Sequence, residues 1–263
     1  MCLILFAHKW HPGYPLVLAA NRDEFYDRPS ASAAFWDNAP QVLAGRDIRW
    51  GGTWLGVTRT GRVAALVNHR EMQTVRADAP SRGFLVTNFL KSDISADDYA
   101  ITLERKGHLY NGFSLIFGDI RQLHHYSNSG TGHNVIPAGI HGQGNHQMDS
   151  PWPKTQRGKD TLRQILASEP EPSRDTLFAL LADRTRAVDS QLPNTGAGIE
   201  KERILSSIYV SGPSYGTRSS TLVIVDSEHT LTFIERTYCG SPDNHTDVEY
   251  CFTIEPETSD FHA

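Results

Sequence analysis

Met1-Cys2-Leu3-Ile4-Leu5-Phe6-Ala7, an apolar run with cysteine in second place, and Leu16-Val17-Leu18-Ala19-Ala20-Asn21-Arg22-Asp23-Glu24, a second run ending in four polar residues, decide the reading of this chain. Both have the composition of strands, and Pro12, Gly13 and Pro15 between them signal a turn, so a hairpin is expected. The hairpin returns Asn21 to Glu24 to the neighbourhood of Cys2. Removal of Met1 would place a thiol (pKa about 8.5) and a free α-amine (about 7.7) on one residue, a nucleophile and a general base that both work near neutral pH. An arginine beside the thiol favours the thiolate, and a carboxylate holds that arginine or the terminal ammonium in place. The same four polar residues would also suit a solvated turn.

The 263 residues suffice for one large domain with a buried core, and 39% apolar and 21% charged residues are ordinary for a soluble globular protein. The net charge is -5 and no stretch concentrates Lys and Arg into a stripe, which argues against a nucleic-acid partner. The opening apolar run is too short for a signal peptide, and no later segment approaches the roughly 20 apolar residues of a membrane span, so a cytoplasmic protein without a transmembrane segment is expected. Cys2, Cys239 and Cys251 have no CxxC spacing; neither a disulfide framework nor a thiolate zinc site is indicated.

Further strands are expected at Trp54 to Thr58, Val63 to Val67, Gly112 to Asp119, Leu123 to Asn128, Thr221 to Asp226, Thr230 to Glu235 and Val248 to Ile254. Helical spacing appears over Ser81 to Lys91, Ala96 to Arg105 and Thr155 to Ala167, and Ser173 caps another helix through about Ala182. Arg186 to Lys201 reads as a loop bordering a ligand site, and Gly51-Gly52 and Gly139 to Gly144 as turns rather than phosphate-binding fingerprints. Strands at both ends with helices between them indicate one α+β domain over 1–263.

Several short signatures follow one order along the whole chain: Ala19 to Tyr26 with Arg28-Pro29, Gly51 to Gly56, Ala64 to Asn68, Ser81-Arg82-Gly83, Tyr110 to Phe113, Pro151 to Lys154, Tyr215 to Arg218, and Glu235-Arg236. Together they resemble the NRDE family. That resemblance implies a four-layer αββα sandwich of the N-terminal nucleophile (Ntn) hydrolase type, with Cys2 in the nucleophile position of related cysteine amidases. It further implies that Arg22 and Asp23 lie beside the nucleophile and that Asn145, in Gly142-Gln143-Gly144-Asn145, helps form an oxyanion hole, although Gln143-Gly144 departs from the family's usual Leu-Ser. The family is associated with haem mobilisation and with binding of acyl-coenzyme A, so the implied function is handling of a small hydrophobic anionic ligand; no cofactor is required, and haem would be cargo. The alternative is an amidohydrolase or thioesterase acting through an acyl-enzyme on Cys2. Fold likeness does not itself transfer chemistry.

Asn21, Glu24, Asn68 and Arg218 complete the expected ligand-binding set, Arg218 either gripping an anion or pairing with Glu235 or Asp226. Twelve histidines include no metal-binding motif, and His124-His125, adjacent on a strand, point to opposite faces, so no metal site is expected. His8, His11, His69 and Cys2 are the candidate axial ligands for haem. Ser219-Ser220 lacks the elbow of a serine hydrolase.

Overall fold

The structure, a computed structural model, describes residues 2–70, 75–168 and 170–256; Met1, whose removal would free the α-amine of Cys2, lies outside the described residues. β1 (Cys2–His11) and β2 (Tyr14–Phe25) form the hairpin read from the sequence. They pair antiparallel with Cys2 opposite Arg22 and Leu5 opposite Ala19. β3 (Ser30–Trp36), β4 (Ala39–Asp47), β5 (Leu55–Thr58) and β6 (Val63–Asn68) follow, then α1 (Gly83–Lys91) and α2 (Ala96–Lys106). Next come β7 (Phe113–Gly118), β8 (Leu123–Ser127), β9 (Gly132–Val135) and β10 (Gly139–Gln143), and then α3 (Pro153–Ser168), α4 (Arg174–Leu181) and α5 (Ile199–Leu205). β11 (Tyr215–Val225), β12 (Thr230–Ser241) and β13 (Asn244–Thr253) close the chain. One sheet has the order β10-β1-β2-β11-β12-β13, and the other runs β3 to β9 in sequence order.

The apolar runs of β1, β2 and β11 are continuous because both faces of these strands are covered. Along β1, Ile4 and Phe6 enter a core shared with Leu43, Val57 and Ile116 of the second sheet. Leu3 and Leu5, alternating with them, pack instead against Leu162, Leu166 and Leu177 of α3 and α4. On the far side, Phe89, Leu90 and Leu103 of α1 and α2 cover Ala64, Leu115 and Phe117. The α+β class is thus observed, with the helices split between the outer faces of two sheets.

The helix starts at Ser95 and Ser173 are capped as their sequences suggest, each hydroxyl accepting a backbone N–H. Three readings are corrected. Gly139 to Gly144 is not a turn: Gly139–Gln143 is the edge strand β10 beside β1. Its glycines serve a close approach, since a Cβ on Gly142 would lie 2.7 Å from Thr155 Cγ2 of α3. The stretch read as a loop to Lys201 already contains the start of α5. β3 and β4 escaped notice because their small residues (Ala31, Ala33, Ala34, Ala39, Ala44) carry little hydrophobic signal.

One close approach sets the position of α1. A Cβ on Gly52 would fall 2.7 Å from the backbone carbon of Gly83, and Thr53 N donates to Gly83 O at 3.4 Å. The obstacle is main chain and cannot rotate away. Gly52→Ala is therefore expected to lower the unfolding free energy by about 1 to 3 kcal/mol in urea melts, the usual cost of overpacking; an unchanged midpoint would show that the contact is not tight.

Candidate functional site

Cys2 and Arg22 face each other across the β1–β2 ladder, so their side chains leave the same, inward face of the sheet. They open into a cleft of about 330 Å³ that Asp23, Glu24, Asn68 and Trp54 also line. Burial pushes the Cys2 thiol up, against the opposing pull of an Asp23 backbone N–H and the Arg22 charge. The resting thiol is therefore protonated at neutral pH.

Arg22 is only 6% exposed, and its guanidinium carbon stands 4.1 Å from the centroid of Trp54. Burial lowers its pKa, and the Cys2 thiolate and Glu24 work against that. Among the described residues it donates no hydrogen bond to a protein acceptor. Five N–H groups on a buried cation without an acceptor are costly unless something else meets them.

Asp23 turns the other way. Its Oδ1 accepts from Thr217 Oγ1 at 2.7 Å, and Tyr215 donates its hydroxyl to the Asp23 carbonyl at 2.8 Å. Burial pushes the Asp23 carboxyl up, and the charge of Lys154 is the largest influence against it. Glu24 is engaged by Arg28 (3.1 Å), whose Nε also donates to Asp47 at 3.0 Å. One arginine thus bridges both carboxylates and offsets one of their two charges.

The structure does not gather all of the sequence-derived set. Asn68 lines the cleft, and Asn145 reaches it through Asn68: the Asn145 Nδ2 donates to the Asn68 carbonyl at 2.8 Å, leaving one N–H of that amide. Asn21 spends its side chain on the helical side, donating to the carbonyls of Leu181 (2.8 Å) and Ile208 (3.0 Å) and accepting from Ser220. Arg218 is the extra residue of a bulge between Thr217 and Ser219. Its Nη1 donates to the carbonyls of Phe25, Tyr26 and Arg28, so it fastens the turn after β2 and does not line the cleft. Of the haem-ligand candidates, His8 contacts the Ile120 carbonyl and His69 the Ser114 hydroxyl; no histidine lines the cleft among the described residues. No group of three His, Cys, Asp or Glu among the described residues is arranged to hold a metal ion.

Two residues were present in the quoted signatures but not assigned a role. Arg82 lines the cleft and lies within Coulombic reach of Cys2. Lys154, in the first turn of α3, is 2% exposed and its Nζ has no hydrogen-bond acceptor among the described residues. A cation there opposes the helix dipole, the one signal in the sequence that could have flagged it. Burial pushes its pKa down to about 8, with Asp23 the main influence in the other direction. Arg70 and Glu202, each with a 5% exposed side chain, form a buried ion pair nearby.

The fold resembles that of the Ntn hydrolases. A variant of the conjugated bile acid hydrolase from Clostridium perfringens matches with a TM-score of 0.54 over 98% of this chain and 99% of its own, at 10% identity, a likeness of fold alone. The sequence narrows the class: the profile of the family Transport and Golgi organisation 2 matches residues 1–240, and the chain belongs to that family. The human Transport and Golgi organization protein 2 homolog is 35% identical over 276 residues, covering 97% of this chain and all of the relative. The Drosophila melanogaster Transport and Golgi organization protein 2 is 31% identical over 268 residues, covering 91% and 93%.

Because the Lys154 pKa is lowered on folding, the unfolded chain binds more protons between pH 8 and 10.5, and this group makes stability rise with pH in that window. The advantage of the wild type relative to Lys154→Met is expected to grow by about 2 kcal/mol between pH 7.5 and 9.5 in urea melts. A constant difference across that range would mean that Lys154 is not buried as a titrating amine.

Proposed function

We propose that this protein holds a hydrophobic anionic small molecule, of the acyl-coenzyme A or haem class, in the cleft at Cys2. The observation that carries the reading is the buried Arg22 guanidinium, stacked on Trp54 beside Cys2 with no hydrogen-bond acceptor among the described residues. Apolar surface for the rest of the ligand comes from Trp50, Leu66 and Val75, which line the same cleft. The acyl class is favoured over haem because Cys2 is the only one of the candidate axial ligands at the cleft. The three apolar clusters, one between the sheets and one under each helix pair, support the four-layer αββα frame of Ntn hydrolases for this reading.

A second reading is acyl transfer, and the position of Cys2 on the cleft wall with an Asp23 backbone N–H directed to its sulfur favours it. The thiolate would attack the acyl carbon of a thioester or amide and the leaving thiol or amine would take the proton; water would then cleave the resulting thioester on Cys2. With the thiol raised by burial, that chemistry needs a base, and the α-amine freed by Met1 removal supplies one.

Calorimetric titration of the purified chain with a long-chain acyl-coenzyme A and with haem tests the first reading. Arg22→Ala is expected to weaken binding by about 1.5 to 3 kcal/mol, the scale of a charge-assisted hydrogen bond; no saturable binding of either ligand would overturn it. For the second, intact-mass analysis after incubation with amides and thioesters should find an acyl adduct on residue 2. Cys2→Ser should retain the fold with most of the rate lost, and Cys2→Ala should lose all of it. Turnover that persists in Cys2→Ala would exclude this mechanism.

A further inference from the structure

Three positive features line the cleft near Cys2. The first is the start of α1: Pro80, Ser81, Arg82 and Gly83 line the cleft there. This nine-residue helix has no side-chain cap at Arg82 and no acidic residue in its first turn. The Phe84 and Leu85 amides are met by the Ser81 and Arg82 carbonyls, so the attraction of this end for an anion comes chiefly from the helix dipole, a property many helices share. The second is Arg22, nine-tenths buried, lining the cleft with no acceptor of its own. The third is Arg82, whose Nη1 donates to the Gly112 carbonyl at 2.8 Å, leaving its other donors available at the wall. Burial and the charge of Arg28 both lower its pKa, while the Cys2 thiolate and Glu24 act the other way.

Arg22 and Arg82 are both penalised by burial, and both lie within Coulombic reach of Cys2 in the cleft that the start of α1 also lines. Glu24 and Asp47 offset only part of this cost, because Arg28 pairs with both of them. An arrangement that is costly when empty and matched by an anion is the signature of a binding site. We propose that Arg22, Arg82 and the N-terminus of α1 form an oxyanion subsite beside Cys2 that receives a carboxylate or phosphate group of the ligand. The proposal rests on the reading of the cleft as a ligand site and adds an orientation to it. The charged group lies against the thiol, and the apolar part extends toward Trp50 and Val75, which are 52% and 71% exposed.

Iodoacetate and iodoacetamide test this without any natural ligand. They alkylate the same thiolate and differ in one carboxylate, so the ratio of their rates at a given cysteine cancels thiol ionisation and reads the neighbouring charge. Peptide mass analysis follows Cys2, with the exposed Cys239 and Cys251 as references in the same chain. The iodoacetate-to-iodoacetamide ratio at Cys2 is expected to exceed that at the references by about ten-fold or more. Arg22→Met and Arg82→Met should each lower it toward the references, and Arg82→Lys should keep most of it; the lysine variant also serves if the methionine variant misfolds. Inorganic phosphate and acetate, in separate arms, should slow iodoacetate selectively, the one effective at lower concentration identifying the group preferred. A wild-type ratio equal to the references, or one unmoved in both Arg22→Met and Arg82→Met with phosphate and acetate without effect, overturns the subsite. Absence of acyl-coenzyme A and haem binding with the ratio retained would overturn the ligand reading and leave the subsite standing.

Discussion

The register of the β1–β2 hairpin is the constraint on which the site depends. Side chains alternate along a strand, so a slip of one residue would carry Cys2 and Arg22 to the helical face and bring Leu3 and Asn21 between the sheets. The hydrophobic pattern forbids that slip. Leu3 and Leu5 are shaped into the packing of α3, where Gly158 leaves room for Leu5: a Cβ there would lie 2.6 Å from Leu5 Cδ1. Ile4 and Phe6 fill the inter-sheet core. Packing at these four apolar positions thereby fixes the facing of two polar ones.

The polar end of the hairpin is divided by the same alternation. Arg22 faces the cleft, whereas Asn21, on the opposite face, is consumed in holding the end of α4 and the segment after α5 to the sheet. Asp23 is drawn toward Thr217 and Lys154. A tetrapeptide that looks like a single polar cluster in sequence therefore divides three ways: Arg22 lines the cleft, Asn21 closes the fold, and Asp23 and Glu24 pair with neighbouring donors and cations. The cleft, the helix packing and the buried charges are coupled through one strand end.

Local pattern made the hairpin, most strands and the helix caps legible, because alternation and Ser caps act within a few residues. Cys2, Arg22 and Asp23 could be grouped for the same reason: a short turn brings them together. What could not be read is what depends on long-range geometry. Gly139–Gln143 looked like a turn because its small residues answer to a helix that the sequence places later, and Arg218 looked like an anion ligand because a one-residue bulge is invisible in composition. Lys154 was passed over for a related reason. Lysine is a surface residue by default, and only the surrounding packing shows that this one is enclosed.

Glu235 explains why Arg22 remains available to a ligand. It is 2% exposed in the inter-sheet region, accepts the Ala33 backbone N–H at 2.7 Å, and lies within Coulombic reach of Arg22. A fully ionised carboxylate there would neutralise the guanidinium from behind. Burial instead pushes the Glu235 carboxyl up to about 7, a cost that the Ala33 hydrogen bond and Arg22 only partly offset. Near neutral pH the residue is thus part protonated and supplies only a fraction of a counter-charge. The low polarity that the packing of Ile4, Leu18 and Phe233 requires is in this way also what leaves the arginine's charge directed at the cleft.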